Sequence, residues 1–266
     1  MEKSRKIDTL PIIGVIGGVG PYAGLDFVRK IFSNTLATHD QDHLNCVLIS
    51  CPSIITDRTA FLLNDKGEEL NPAFGMFESA KRLFLAGARL AAVACNTAHA
   101  DRIFSPFFAM VKESFPDLEI INMLETCALY AKESLRIRRL GLLATIGTYQ
   151  SGVYHEYFKE EDGFSLLEPD SAGQKNIHDS IYSDDFGIKA RSDEIEPRAK
   201  ELIAGQIHRL IERGAEAVIL GCTELPLAVQ GGDSPVPLID PALITARKLI
   251  SLSAPEKLTP PQKQLL

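Results

Sequence analysis

Two cysteines stand just after short apolar segments of the chain, Cys95 without an intervening residue and Cys222 after one glycine. Cys95 follows the apolar segment 90–94, and Cys222 follows the segment 217–220. In parallel α/β sheets, sites form at the carboxyl ends of strands, where the free N–H groups of the next helix stabilise a thiolate. Two thiols that face each other suit inversion at a carbon with an acidic hydrogen. One thiol removes the proton, and the other delivers a proton to the opposite face.

The alternative for either cysteine alone is an inert thiol, since free cysteine is among the most buried residue types. An internal repeat favours the functional pair over that alternative. Five residues recur in type 127 positions later along the chain: Gly14, Gly20, Gly87, Ala88 and Cys95 correspond to Gly141, Gly147, Gly214, Ala215 and Cys222. Because each of the two repeated blocks joins a strand to a turn, we expect two similar lobes.

Short apolar runs alternate with amphipathic stretches along the chain. The runs are continuous, which is typical of parallel strands covered on both faces. They predict strands at 12–16, 46–50, 90–94, 119–122, 140–144, 164–167, 217–220 and 236–239. The stretches between them predict helices, among them 24–36, 72–86 and 198–213.

The predicted fold class is therefore α/β, with two lobes related by a pseudo-twofold axis. Each lobe is a mainly parallel sheet flanked by helices, and the site lies in the cleft between the lobes. Residues 1–123 and 241–266 form the first lobe, and residues 124–240 form the second. The C-terminal helix, at about 241–253, is expected to pack back on the first lobe.

The composition excludes several classes of protein. The chain has 266 residues, 45% apolar and 24% charged, which is unlike a disordered or collagen-like chain. A formal net charge of −7 argues against nucleic-acid binding, and no run of about 18 apolar residues predicts a membrane span. The N-terminal apolar run is too short and glycine-broken for a signal peptide, so we expect a cytoplasmic protein. Five cysteines without metal-type spacing predict free thiols and no metal site.

Four motifs resemble those of the aspartate/glutamate racemase family, whose members racemise amino acids without a cofactor. They are IGVIGGVGP near the N-terminus, DRT at 57–59, CNTAH at 95–99 and GCTELP at 221–226. The resemblance spans about residues 12–249. Glu224 after the second Cys-Thr, and a first loop without an Asp-Ser pair, are similar to the aspartate racemase branch. Val19 departs from the usual GGMGP loop of the family.

The resemblance implies roles for particular residues. Cys95 and Cys222 are implied as the two catalytic bases, no cofactor is implied, and the protein is implied to be a homodimer. Substrate binding is implied for five residues near the cysteines and in the ATIGT loop: Asn96, Thr97, Thr145, Thr148 and Thr223.

The DRT motif contains a candidate for binding a carboxylate. The guanidinium of Arg58 can hold a carboxylate through two parallel hydrogen bonds, which orient it as well as attract it. From spacing alone, a solvated surface arginine is the alternative, and the resemblance of the motif favours substrate binding. Asp57 beside it either tunes a catalytic group or caps the loop.

Gly18 and Gly20 in the first loop predict a tight turn. Its backbone N–H groups either face the substrate carboxylate or form a plain strand-to-helix turn. A dinucleotide-binding loop is disfavoured, because the second strand ends in Ser50-Cys51-Pro52 without the acidic residue that binds a ribose.

Two side chains close to the cysteines are candidates for tuning them. His99 lies four residues after Cys95, and a Cys–His pair would suit a thiol hydrolase or transferase. We favour a packed or tuning histidine, because a single nucleophile leaves Cys222 without a role. Glu224 is the matching candidate beside Cys222.

Lys189 is a further candidate for tuning the site. It follows an Ile-Tyr pair, as a lysine does in aspartate racemases, but with a longer gap. A solvated surface lysine is the alternative. Lys189 lies in the polar segment 171–196, which we expect to cover the cleft as a loop or short helix.

These observations predict a racemase that acts on an acidic amino acid, aspartate before glutamate. One alternative is another enzyme of the superfamily: hydantoin racemases keep both cysteines, arylmalonate decarboxylases keep one, and maleate isomerases are similar in fold. The other alternative is a two-lobed protein that senses or stores an acidic ligand. Such a protein would tolerate alanine at Cys95 or Cys222, whereas a two-base racemase would not.

Overall fold

The computed structural model describes residues 10–64 and 69–260. Through this part of the chain, parallel strands alternate with helices and form two four-stranded sheets. The predicted α/β class with two parallel sheets is therefore confirmed. No helix within the described ranges is both long enough and apolar enough to cross a membrane.

The first sheet comes from the N-terminal half of the chain. Its strands are β1 (Ile12–Gly17), β2 (Asn45–Ser50), β3 (Leu90–Val93) and β4 (Glu119–Ile121), in the order β2-β1-β3-β4. All three pairings are parallel. The central strands β1 and β3 are almost wholly buried, which accounts for their unbroken apolar sequences.

The second sheet repeats this arrangement with parallel pairings. Its strands are β5 (Arg139–Leu143), β6 (Ser165–Leu167), β7 (Ala217–Leu220) and β8 (Leu238–Ile239), in the order β6-β5-β7-β8. β7 lies 127 positions after β3 and takes the same place in its sheet. Gly87 and Gly214, just before these strands, have φ angles of 97° and 92°, where glycine is favoured. The repeat in the sequence is thus a repeat in topology.

Helices flank both sheets. Those of the first half are α1 (Pro21–Ser33), α2 (Arg58–Leu63), α3 (Pro72–Leu85), α4 (Asp101–Ser114) and α5 (Met123–Leu129). Those of the second half are α6 (Ile146–Ser151), α7 (Val153–Tyr157), α8 (Ser171–Tyr182), α9 (Pro197–Glu212), α10 (Leu225–Ala228) and α11 (Pro241–Ser253).

The last helix, α11, packs on the first half of the chain. Leu249 of α11 shares a buried core with Phe27 of α1. Lys30 of α1 also pairs with Asp240, the N-cap of α11, at 2.6 Å. These contacts support the assignment of the C-terminal helix to the first lobe. The lobe boundaries themselves stay a prediction, and residues 1–9 and 261–266 of the first lobe lie outside the described residues.

Element boundaries differ from the predicted ones by a few residues. Helix α1 occupies Pro21–Ser33 instead of 24–36, because Pro21 suits the first helical turn and the N–H of Asn34 closes on the carbonyl of Lys30. The segment 171–196, predicted as a loop or short helix, contains the twelve-residue helix α8. Turns follow that helix and carry the chain to α9.

Candidate active site

The two cysteines lie at matching strand ends of the two sheets. Cys95 follows β3, Cys222 follows β7, and each residue is 6% exposed. Thr223 Oγ1 donates to the carbonyl of Ala94 at 3.3 Å. The residues next to the two cysteines are therefore in direct contact, which joins the two strand ends into one site.

Glu224 dominates the surroundings of Cys222. The Cys222 thiol donates to Glu224 Oε2 at 3.0 Å, and Lys189 Nζ donates to Glu224 Oε1 at 2.5 Å. Burial and the negative charge of Glu224 raise the pKa of the Cys222 thiol well above its usual value, against the charge of Lys189. Burial works to raise the Glu224 pKa as well, but Lys189 and the thiol hydrogen bond outweigh it and lower that pKa. At neutral pH this corner of the site holds a protonated thiol beside a carboxylate.

Arg58 supplies a buried positive charge on the side of Cys95. Its Nη2 donates to the carbonyl of Val19 at 2.7 Å and its Nη1 to that of Thr56 at 3.3 Å. Its Nε is buried and has no hydrogen-bond partner among the described residues. Burial alone would lower the Arg58 pKa, but negative charge at Cys95 and Asp57 outweighs it and raises that pKa. Backbone carbonyls thus hold the guanidinium in place while one donor stays unsatisfied.

Asp57 makes two hydrogen bonds of different kinds. Its Oδ1 accepts from the N–H of Ala60 at 2.8 Å and caps α2, and its Oδ2 accepts from the Tyr182 hydroxyl at 3.1 Å. Tyr182 ends α8, so this bond ties the segment 171–196 to the start of α2, where Arg58 lies. The alternative of a cap is therefore observed, and tuning of a catalytic group by Asp57 stays a prediction.

Asn96 carries a second buried donor without a partner. The residue is 1% exposed, and its Oδ1 accepts from the Tyr154 hydroxyl at 2.9 Å. Its Nδ2 has no hydrogen-bond partner in the part of the chain that the structure describes. Buried donors without a hydrogen-bond partner are rare in native proteins. Arg58 and Asn96 therefore each carry a buried side-chain donor that no described residue accepts.

Four buried threonines link the two halves of the molecule. Thr97 Oγ1 lies 2.8 Å from Thr148 Oγ1, Thr145 Oγ1 lies 3.0 Å from Thr148 Oγ1, and Thr59 Oγ1 lies 3.5 Å from Thr145 Oγ1. Thr145 also caps α6 by accepting from the N–H of Thr148 at 3.3 Å. The structure thus brings the predicted Thr97, Thr145 and Thr148 together.

His99 supports the backbone of Cys95. Its Nε2 accepts from the N–H of Met123 at 3.2 Å, so we assign the proton to Nδ1, which donates to the carbonyl of Cys95 at 2.9 Å. Burial lowers the His99 pKa to about 4, which leaves the ring neutral at pH 7. The ring stacks on Phe104 with a centroid distance of 4.7 Å. These contacts describe a packed histidine and favour it over a Cys–His nucleophile.

Gly18 and Gly20 have positive φ angles of 74° and 136°. A Cβ atom at Gly18 would lie 2.6 Å from the backbone nitrogen of Cys51, and one at Gly20 would lie 2.2 Å from Glu224 Oε1. The missing side chain at Gly20 therefore lets Glu224 approach the first loop. Binding of substrate by these two glycines stays a prediction.

Three residues at this site were not singled out as candidates in the sequence, namely Thr59, Tyr154 and Tyr182. Tyr182 had a signal, because it belongs to the Ile-Tyr pair before Lys189. Thr59 is the last residue of the DRT motif, and Tyr154 had no signal beyond its closeness in sequence to the ATIGT loop. Within the described ranges, no group of three or more His, Cys, Asp or Glu side chains could hold a metal ion.

Comparison with known sequences places the chain among racemases. The model of the Asp/Glu/hydantoin racemase family matches residues 16–249. The glutamate racemase of Levilactobacillus brevis is 25% identical over 171 residues, which cover 63% of this chain and 56% of that racemase. The broad specificity amino-acid racemase RacX of Bacillus subtilis is 23% identical over 250 residues, which cover 90% of this chain and 97% of RacX. The alignment thus spans little more than half of the glutamate racemase but nearly all of RacX.

Solved structures share the fold. The aspartate racemase of Picrophilus torridus has a TM-score of 0.78 and 28% identity, over 94% of this chain and 96% of that chain. An aspartate racemase homologue from Pyrococcus horikoshii has a TM-score of 0.69 and 26% identity, over 92% and 100% of the two chains. The glutamate racemase of Francisella tularensis, with a TM-score of 0.59 and 19% identity over 97% and 86%, shares the fold alone. The chain therefore belongs to the Asp/Glu/hydantoin racemase family.

Proposed function

We propose that this protein racemises an acidic amino acid, aspartate first and glutamate second, by proton transfer at the α-carbon without a cofactor. Family membership supports racemisation. The observation that carries the proposal is that Arg58 Nε and Asn96 Nδ2 are buried donors without partners in the described chain. Asn96 follows Cys95 directly in the sequence, and the charge of Arg58 interacts with Cys95. A carboxylate is the ligand group that accepts hydrogen bonds from both kinds of donor.

The charges near the two thiols suggest how the protons move. In one direction, the thiolate of Cys95 near Arg58 removes the α-proton of the amino acid. The thiol of Cys222, which rests protonated beside Glu224, delivers its proton to the opposite face of the carbanion. Cys95 is then protonated and Cys222 is a thiolate, which the charge of Lys189 stabilises. The reverse reaction starts from that second state.

A substrate without a side-chain carboxylate is the second candidate. The charge of Lys189 is already paired with Glu224 at 2.5 Å, so a second substrate carboxylate would compete with Glu224 for it. The similarity to RacX, which is a broad specificity racemase, points in the same direction.

The test is hydrogen exchange at the α-carbon. Freshly reduced protein is incubated in deuterated water, without added cofactor, with L-aspartate, L-glutamate or a neutral amino acid such as L-alanine. Deuteration is followed by NMR, and enantiomers are separated by chiral chromatography. We expect deuterated D-aspartate to form. Exchange with the neutral amino acid alone would favour the second candidate, and no exchange with any amino acid would contradict racemisation of these substrates.

Two further properties stay predictions. The family resemblance implies a homodimer, which light scattering coupled to gel filtration tests directly. The cytoplasmic location predicted from the sequence is tested by fractionation of the source cells.

A further inference from the structure

The hydroxyl of Tyr154 reaches the residue that follows Cys95. Tyr154 lies in α7, in the second half of the chain, whereas Asn96 follows β3 of the first sheet. Both residues are 1% exposed, and the hydroxyl donates to Asn96 Oδ1 at 2.9 Å. Burial raises the pKa of the Tyr154 hydroxyl well above its usual value, so the group keeps its proton and acts as a donor.

This hydrogen bond determines which way the Asn96 amide faces. A side-chain amide has an acceptor oxygen on one side and a donor nitrogen on the other, and a half-turn exchanges them. Because the hydroxyl of Tyr154 engages Oδ1, Nδ2 is the atom left without a partner in the described chain. A half-turn of the amide would take away the acceptor of the Tyr154 proton. It would also replace the free donor with an acceptor.

We propose that Tyr154 is a positioning residue whose hydroxyl holds Asn96 Nδ2 ready to bind the carboxylate of the amino acid. The inference rests on the proposed function, because it assumes that such a carboxylate binds there. Tyr154 acts through Asn96 and has no part in the proton transfers. Its effect is therefore expected mainly on substrate binding.

The central test is Tyr154→Phe, which removes the hydroxyl and keeps the ring that stacks on Phe158 with a centroid distance of 5.7 Å. We expect KM to rise about three- to ten-fold, the range for loss of one hydrogen bond. The change in kcat should be smaller, since the bond is made equally in the ground state and the transition state.

Tyr149→Phe is the matched control. The Tyr149 hydroxyl donates to the carbonyl of Leu142 at 3.0 Å and accepts from the N–H of Ala144 at 2.9 Å. The control therefore also removes a hydrogen-bonded hydroxyl, from a half-buried tyrosine that binds backbone instead of Asn96. We expect both variants to lose thermal stability and the control to keep the KM of the wild type. An equal rise of KM in both variants would reduce Tyr154 to a structural role and overturn the inference.

A double-mutant cycle tests whether Tyr154 acts through Asn96. In the Asn96→Ala background, Tyr154→Phe should not raise KM further, because the group that it positions is gone. The same rise of KM in the wild-type and Asn96→Ala backgrounds would overturn the inference. An unchanged KM in Tyr154→Phe alone would also overturn it.

Turnover by the wild-type protein separates this inference from the proposed function. If the wild type racemises none of the amino acids tested, the proposed function fails, and calorimetric titration with L-aspartate replaces KM. Weaker binding by Tyr154→Phe than by wild type and Tyr149→Phe then supports positioning. Equal affinities, or no binding by the wild type, overturn it.

Discussion

Cys95 and Cys222 occupy matching places after β3 and β7, but the charged residues near them differ. The positive guanidinium of Arg58 lies on the side of Cys95, whereas the Cys222 thiol donates to the carboxylate of Glu224 at 3.0 Å. A two-base reaction needs one thiol ionised and the other protonated at each start. The comparison therefore suggests that the repeated fold places the two cysteines, and that different neighbouring residues distinguish them.

The residues that hold the two cysteines in place differ as well. A neutral histidine, His99, accepts from Met123 and donates to the carbonyl of Cys95. On the other side, the ion pair of Glu224 with Lys189 fixes the carboxylate that contacts the Cys222 thiol. The two sides should therefore respond differently to substitution and to acid.

The largest expected effect comes from removing each thiol in turn. Cys95→Ala and Cys222→Ala should each slow racemisation about 10²- to 10⁴-fold, because each removes one of the two acid–base groups. Chiral chromatography of the product measures the rate. Cys46→Ala is the control, since Cys46 lies on β2 and burial raises its pKa to about 11. Wild-type activity in either of the first two variants would show that the cysteines are not a catalytic pair.

Acid should lower the free energy of unfolding through His99, whose ring contacts the backbone of Cys95. Burial depresses the His99 pKa from 6.5 to about 4, so between these values the unfolded chain binds a proton that the folded chain does not. Stability should therefore fall as the pH drops from about 6.5 to about 4, by about 3 kcal/mol. Urea unfolding at several pH values measures this loss. His99→Gln should show a shallower loss over that range, and an identical pH dependence would show that His99 is not its source.

The sequence predicted the elements that depend on local pattern. Continuous apolar runs located the strands within about two residues, and the repeat at 127 positions anticipated the matching places of β3 and β7. The predicted boundaries of an element were less accurate where a single residue determines where the element begins or ends. The helix α1 starts at Pro21, a residue suited to the first helical turn, ahead of the amphipathic pattern.

Contacts between distant segments could not be predicted in this way. Tyr154 meets Asn96 across 58 positions, and Thr59 meets Thr145 across 86. No sequence pattern links the two residues of either pair, because each contact depends on how the two sheets pack together. Lys189 was ambiguous for the same reason: its distance from Glu224 depends on where α8 ends and how the following turns run.

Arg58→Lys tests the charge on the side of Cys95. Lysine keeps the positive charge but loses the two backbone contacts of the guanidinium and its free Nε donor. We expect KM for the amino acid to rise about 10- to 100-fold, the range for hydrogen bonds to charged groups. Arg82→Lys is the control, because Arg82 is at an exposed contact with Cys51. Equal KM values for Arg58→Lys and wild type would remove Arg58 from substrate binding.

The smallest expected effect concerns the resting charge of Cys222. Glu224→Gln keeps the size of the side chain and removes the negative charge that raises the Cys222 pKa, while Lys189 keeps its positive charge. Cys222 should therefore lose its proton at lower pH, and its alkylation by iodoacetamide at pH 7 should become roughly ten-fold faster. Peptide mass spectrometry measures the rate, with Cys95 as the internal reference.

Glu168→Gln is the control for that experiment, because the Glu168 carboxylate contacts His155 at 2.9 Å instead of a cysteine. Its alkylation rates should match those of the wild type. If Glu224→Gln leaves the Cys222 rate unchanged, burial alone keeps that thiol protonated. Both thiols are equally buried at matching strand ends. Any remaining difference in reactivity between the two cysteines would then come from Arg58.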